Sequence, residues 1–266
     1  MFGAVSFVRD RIPRALFALV ALFPVAACGP VLGPKYEYEE DIYLTLDGSA
    51  TVYVNASVPA LVALRGAPFD VDPRARLDRD EVRAFFGAAT FGAPDWDVAN
   101  VSLSRRDGRR YVHVRLDVPD VAALSRARAF DWSEYRLERT DEQFVYRQLI
   151  GNPAGRDVGD VGWTGNEQVA VRLHLPSRVT FHNLPDGEVE RGNIISWEQP
   201  LAARIAGEPL VVEARMETES ILVRTLLLFG LMILLALVTL AGLIWMVMRR
   251  GAGADEREDA RPPRSV

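Results

Sequence analysis

The stretch DGSATVYVNASVPALVAL, Asp47–Leu64, returns in altered form as DGRRYVHVRLDVPDVAAL, Asp107–Leu124. Aspartate, glycine, three valines, proline, alanine and leucine hold matching places in the two copies. Each Asp-Gly pair predicts a tight hairpin turn, because glycine tolerates the positive φ such turns require. An alternating strand follows, Thr51–Ala56 in one copy and Tyr111–Leu116 in the other, and the V-x-V spacing sets two valines on one face. Val58-Pro59 and Val118-Pro119 close the strands, since proline has no ladder donor yet suits a first helical turn. Ser57 and Asp117 stand where helix caps belong. The short apolar helices ALVAL and DVAALSRA come next. Each copy therefore reads as hairpin, strand, cap and helix.

Working outward, VAVRLHLPSRV (Val169–Val179) shares the V-x-V-R-L pattern, but VTFHNL continues it as strand and NLPDG, Asn183–Gly187, as a turn. YEYEEDIYLTL, Tyr36–Leu46, alternates and is the first strand. DRDEVRAFFGA, Asp78–Ala88, is a helix with Val82, Phe85 and Phe86 on one side. VANVSLSR leads into the second Asp-Gly turn, and EYRLERTDEQFVYRQL is a hairpin turning near Thr140 and Asp141. The glycines of Gly151–Asn166 predict a loop, and Asn193–Trp197 and Leu210–Met216 read as closing strands. From the second strand the order is strand, helix, strand, strand, helix, strand, which is that of a ferredoxin-like split βαβ unit. The expected class is α+β: a mainly antiparallel sheet with a few short helices, a ferredoxin-like core with extra strands, and one C-terminal transmembrane helix.

The two ends address location. Arg9, Arg11 and Arg14 precede the apolar run ALFALVALFPVAAC, Ala15–Cys28. A basic region, a short apolar region and small residues make a secretory signal, and the run is too short to cross a bilayer. It ends V-A-A-C-G, which resembles the bacterial lipobox, so residues 1–28 read as a signal peptide with lipidation at Cys28. Cys28 is the only cysteine, and an unpaired one in an exported chain asks for such a role. The alternative is a cysteine removed with the signal. From Thr225 to Met248 the sequence TLLLFGLMILLALVTLAGLIWMVM carries no charge and suffices to cross the ~30 Å hydrocarbon core. Trp245 suits an interface, and Arg249 and Arg250 follow on the side that the positive-inside rule keeps cytoplasmic. The organisation is thus an extracytoplasmic domain over residues 35–220, a span over 225–248 and a polar tail over 249–266 expected to be disordered. Its location is a bacterial inner membrane, crossed once.

Between Lys35 and Ser220 the chain carries 22 basic and 31 acidic side chains, a net of −9. That balance argues against nucleic acid as a partner. It also disfavours nonspecific binding to anionic lipid. No G-x-S-x-G, phosphate loop or H-E-x-x-H occurs. His113, His174 and His182 lack the spacing and cysteine partners of a zinc set. Asp70, Asp72, Asp78 and Asp80 lack the mid-loop glycine and closing glutamate of an EF-hand and read as a solvated loop. Arg105, Arg106, Arg109 and Arg110 read as an exposed turn, with an anion dock as the other reading. Trp163, in the glycine-rich loop, could meet a lipid or sugar; Trp197 reads as core. Asn55 and Asn100 begin N-x-S sequons, to which a bacterial chain attaches no glycan. Glu188 and Glu190 are the acidic pair an enzyme reading would need. No catalytic, metal or cofactor site is expected.

The pattern V-R-L-H-L-P-S-R-V-T-F-H-N, then N-I-I-S-W, then V-V-E-A-R-M before a terminal span, resembles the LppM-like envelope lipoproteins of bacteria. That resemblance implies lipidation at Cys28, core roles for Val179, Asn183 and Trp197, an exterior domain with two anchors, and an envelope lipid as ligand. The expected function is a noncatalytic membrane-anchored module binding a lipid or glycolipid. The second reading is a single-span sensor or assembly subunit, with Gly230 and Gly242 permitting close packing against a partner's helix.

Overall fold

The computed structural model describes residues 35–90, 96–184, 187 and 189–259, with side chains through 249 apart from those of Ile221 and Arg224. The signal and lipobox reading, Cys28 included, lies outside the described residues, as do Glu188 and the Pro185-Asp186 part of the expected turn.

Among the described residues ten strands form two sheets. The first sheet holds β1 (Lys35–Leu44), β2 (Ala50–Ser57), β3 (Asp97–Arg106), β4 (Arg109–Val118), β7 (Glu167–His174) and β9 (Ile194–Pro200), in the order β3-β4-β2-β1-β7-β9. The second holds β5 (Ser133–Arg139), β6 (Gln143–Ile150), β8 (Ser177–His182) and β10 (Leu210–Ser220), in the order β5-β6-β10-β8. The pairings are antiparallel except β1 with β7. With helices α1 (Val58–Arg65), α2 (Arg79–Gly87), α3 (Leu201–Ile205) and α4 (Ile221–Asp259), the class is α+β, as the alternation of the sequence implies.

The first copy of the doubled stretch folds as read. Ser57 caps α1 by accepting from the Ala60 amide at 3.2 Å, and Gly66 closes the helix at φ +63°, a left-handed value glycine adopts without strain. Every residue of α1 is buried, Arg65 at its end included; ahead of Arg65 the helix is apolar all round, as a buried helix is. The second copy departs from its reading. Its helix is a short 3-10 turn, Val121–Arg126, capped by Asp120 through the Ala122 amide at 2.9 Å. Asp117 is not a cap: β4 runs on to Val118, pairing Val118 with Ala50, and the Asp117 carboxylate accepts from Thr51 and Arg115 across the strand face.

The ferredoxin-like order is not realised either. Beside β2, where the fourth strand of a split βαβ unit would lie, sits β1, joined to β2 by the tight turn at Asp47-Gly48. β2 ends at Ser57 and β5 begins only at Ser133, so closing the local β1–β2 hairpin costs less chain entropy than returning β5 to that edge. The 3-10 turn is tied to the same hairpin, Val121 donating to the Gly48 carbonyl at 2.9 Å, and the chain leaves to build the second sheet from β5.

Two polar clasps join the sheets through the core. Glu40 on β1 is fully buried and accepts from the hydroxyls of Tyr38 (3.0 Å) and Tyr135 (2.7 Å) and from the Gln148 amide (3.0 Å), the last two on β5 and β6. Asn183 accepts from the Trp197 indole on β9 at 2.9 Å and pairs with Glu213 and Val211 of β10. Trp197 is 2% exposed and Val179 packs against the core. At the end of β10 the chain enters α4 directly. Within α4, Thr225–Arg249 is long and apolar enough to cross a membrane and is exposed along its length. The helix runs on to Asp259.

Candidate groove beside the glycine strap

Gly151–Asn166 has no regular structure, but it is tied down as a strap. The amides of Ala154 and Gly155 donate to the Leu64 and Ala63 carbonyls at the end of α1, at 2.9 and 3.1 Å. These are carbonyls the helix itself leaves unpaired. The next residues repeat D-V-G. Asp157 accepts from the Gly159 amide (2.9 Å) and Asp160 from the Gly162 amide (3.0 Å), with both glycines at positive φ. Each triplet is thus a side-chain-closed turn.

The arginines at the β3–β4 hairpin hold the strap from the other side. The expectation of an exposed arginine turn fails for Arg109 and Arg110, which are both buried. The Arg109 guanidinium donates to the carbonyls of Val161 (3.3 Å) and Gly162 (3.1 Å) and to Glu37 at 2.7 Å. Glu37 is completely buried and also accepts from the Tyr111 hydroxyl at 2.8 Å. Arg110 donates to the carbonyls of Ala75 and Asp70, gathering the acidic loop. Guanidinium forks reach several carbonyls at once, so charges that read as solvated are spent on holding two long loops. Arg106 stays at the surface and lies over the Tyr111 ring.

Between the strap, the end of α1 and helix α3 lies a groove of about 520 Å3, within the range of small-ligand sites. Its apolar wall is Ala63, Val158, Trp163, Leu201, Ala202 and Ile205. Trp163 is half-buried and packed on the core, so its indole forms wall and not a free probe. Polar character comes from exposed Arg156 and Asp157 and from buried Glu167. Burial raises the Glu167 carboxyl, but hydrogen bonds from the Thr164 and Gly165 amides, each 2.8 Å, and the Thr164 hydroxyl outweigh it and leave the group below its ordinary value. Glu167 therefore stays ionised and fully engaged, a clamp on the strap's end.

Other charged residues have structural partners. Arg65, at the end of α1, lies 3.7 Å over the Trp132 ring and donates to the Ala129 carbonyl at 2.8 Å; burial lowers it to about 10. Arg204 of α3 is fully buried near the same ring, donating to the Gly151 and Glu208 carbonyls. Burial raises the Glu40 carboxyl, a shift that the hydrogen bonds from Tyr135, Tyr38 and Gln148 only partly offset. Asp70, Asp72 and Asp78 close local turns, accepting from the amides of Asp72, Arg74 and Asp80, while the Asp80 carboxylate takes a hydrogen bond from Arg83. Among the described residues no group of three or more His, Cys, Asp or Glu is placed to hold a metal. His113 bridges Asn55 and Ser104 on the outer face, and His174 stacks on Tyr43 at 3.8 Å. His182 lies on β8 and Glu190 pairs by backbone with Ile194, so neither lines the groove. Helix α3, which supplies half the apolar wall, carries no side-chain cap in its five residues, so the sequence signals nothing there. The sequence marks the site through the glycine-rich loop with Trp163 and through the doubled D-V-G inside it.

No family model matches the chain, and no curated protein matches it. Among solved structures, the NMR structure of the folded domain of the Mycobacterium tuberculosis LppM protein is similar over 71% of this chain and 94% of that one, at 15% identity and a TM-score of 0.39. A similarity at that level carries no argument about function.

Proposed function

We propose that the chain is a noncatalytic, membrane-anchored binding module of the bacterial envelope, whose extracytoplasmic domain takes an apolar or amphiphilic ligand, a lipid or glycolipid, in the groove between α1, α3 and the strap. The observation that carries this is the groove itself: mostly apolar, about 520 Å3, and walled by a strap whose charged neighbours are tied down. A ligand's chain would lie on Leu201, Ile205 and Trp163, with its polar end at Arg156 and Asp157. The titratable groups nearest the groove serve structure: Glu167 closes the strap and Arg204 braces α3.

The test is native mass spectrometry of the full-length protein released from mild detergent. The wild type should carry a nonprotein mass. Ala202→Trp, at an exposed position of the groove wall, should lose it while keeping the same melting temperature. A wild type without bound mass that also takes up no fluorescent fatty acid would sink the reading.

The second reading, a single-span sensor or assembly subunit, is favoured by the direct passage of β10 into α4, which would couple domain and span without slack. Exchange of the span for an unrelated apolar helix should then abolish activity; full activity with the foreign span would reject it.

A further inference from the structure

The passage of β10 into α4 fixes where the domain can sit. β10 ends at Ser220 and α4 begins at Ile221, the Ser220 hydroxyl capping the helix by accepting from the Leu222 amide at 3.2 Å. Only Ile221–Arg224 separate the strand from the apolar segment that starts at Thr225. At about 1.5 Å per helical residue these four span about 6 Å. That is no more than the headgroup layer on one side of a bilayer, about 5–8 Å given a ~30 Å core within 40–45 Å overall. A strand end so close to hydrocarbon lies among headgroups.

Whatever lies level with Ser220 shares that position. Glu217 pairs with Gln143, which brings the β5–β6 tip, Thr140–Glu142, alongside. The tip is tight, the Thr140 amide donating to the Gln143 carbonyl at 2.8 Å. Ser177 pairs with Ser220 and its hydroxyl donates to the Glu219 carbonyl at 2.7 Å, so the β7–β8 turn lies there too. In and beside these turns lie exposed charges of both signs: Arg139 at the end of β5, Asp141 and Glu142 in the tip, and Arg178 at the start of β8, 3.6 Å from Glu217. That mixture suits zwitterionic headgroups, guanidinium meeting phosphate and carboxylate meeting ammonium.

The groove is at the other end. Leu210, the first residue of β10, pairs with Ile150, from which the strap departs, and α3 precedes it by four residues. β7 likewise runs from Glu167 at the groove to His174, three residues before Ser177. Ten residue steps at about 3.2–3.4 Å place Leu210 about 32–34 Å along the strand from Ser220.

We propose that the domain stands directly on the bilayer, with the β5–β6 tip and the β7–β8 turn against lipid headgroups, and that it holds the groove about 30 Å away from its own membrane. The inference rests on reading Thr225–Arg249 as a span and on the alternative at the amino end, in which Cys28 is not anchored in the same leaflet: β1 begins at Lys35 beside Glu167 at the groove, and seven residues from Cys28 reach at most about 25 Å. It goes beyond the groove reading by denying the groove direct access to the leaflet beneath it. A lipid ligand would be handed over from outside that leaflet, by a partner or an opposed membrane surface.

The test uses full-length protein in phosphatidylcholine vesicles containing a lipid spin-labelled at its headgroup. With Cys28 kept, so that an anchor there still acts, an environment-sensitive fluorescent amino acid replaces Asp141 or Ile205, both exposed positions. The label at 141 should lose most of its emission and the label at 205 little. A flexible Gly-Ser stalk inserted between Ser220 and Ile221 should restore emission at 141. Equal quenching at both sites, stronger quenching at 205, or quenching at 141 indifferent to the stalk would overturn the proposal. Protein that fails to float with vesicles would overturn its premise. A negative ligand search alone would count only against the groove's assigned function.

Discussion

Removing the Arg109 guanidinium should destabilise the domain strongly, and in a way that separates a buried ion pair from a surface one. Glu37 is 0% exposed and its carboxylate meets the Arg109 guanidinium at 2.7 Å. In Arg109→Ala the Glu37 charge stays in the core with only the Tyr111 hydroxyl as a partner, and the Val161 and Gly162 carbonyls lose their donor. Breaking such a pair from one side costs about 3–5 kcal/mol, whereas an exposed pair is worth about 0–1 kcal/mol. For a domain of this size about 1 kcal/mol corresponds to roughly 2–4 °C in melting temperature, so a drop of about 6–20 °C is expected. The double variant Glu37→Gln with Arg109→Met should recover most of that loss, because replacing a buried pair with neutral groups is often close to neutral. The assay is thermal unfolding of the full-length protein in detergent followed by tryptophan fluorescence, where Trp96, Trp132, Trp163 and Trp197 report on the domain and Trp245 on the apolar helix. A single variant within about 2 °C of wild type, or a double variant worse than the single, would refute the claim that this pair is buried and holds the strap.

Other outcomes follow from the same packing. Glu40 has a raised carboxyl in the fold, so its share of stability is complete below the ordinary carboxylate range and is lost as pH rises through the raised value; Glu40→Gln should flatten that part of a melting-temperature profile against pH. Glu167 and Glu213 are lowered and act oppositely, giving stability above the ordinary range that is lost as pH falls through their folded values; the acid limb of the profile should shrink in Glu167→Gln. Gly159→Val places a branched residue at φ +64° and should cost about 1–2 kcal/mol in the same melt; an unchanged melting temperature would mean the strap is not held in these turns. Ser57→Ala should cost about 1 kcal/mol through the lost cap of α1, read as a lower melting temperature in the same assay.

Much of the architecture was legible locally. Alternation marked the strands because each exposes one face and buries the other, as in β1, where Tyr38, Glu40, Ile42 and Leu44 turn inward. Period and capping marked α2, whose Asp78 and Glu81 form a capping box while Val82, Phe85 and Phe86 are buried. The apolar run from Thr225 marked itself by length, since hydrocarbon demands about 20 such residues. These are properties of a residue and its near neighbours, and the chain states them directly.

What tertiary structure decided was partnership. The doubled stretch carries the same local instructions twice, yet β1 took the place beside β2 that a symmetric unit would have given to β5. The Asp47-Gly48 turn marks β1 as a hairpin partner of β2, but it does not say that this pairing keeps β5 out of the sheet. Arg109 and Arg110 look like a solvated turn because charge is read as exposure, and only the carbonyls brought to them by distant loops make their burial tolerable. Glu40 occupies an ordinary inward position of a strand and becomes a clasp between sheets because Tyr135 and Gln148, some hundred residues on, arrive to donate to it. Secondary structure is set by short-range sterics and periodicity; the groove is set by which surfaces meet, a balance of long-range contacts against chain entropy that no single segment records.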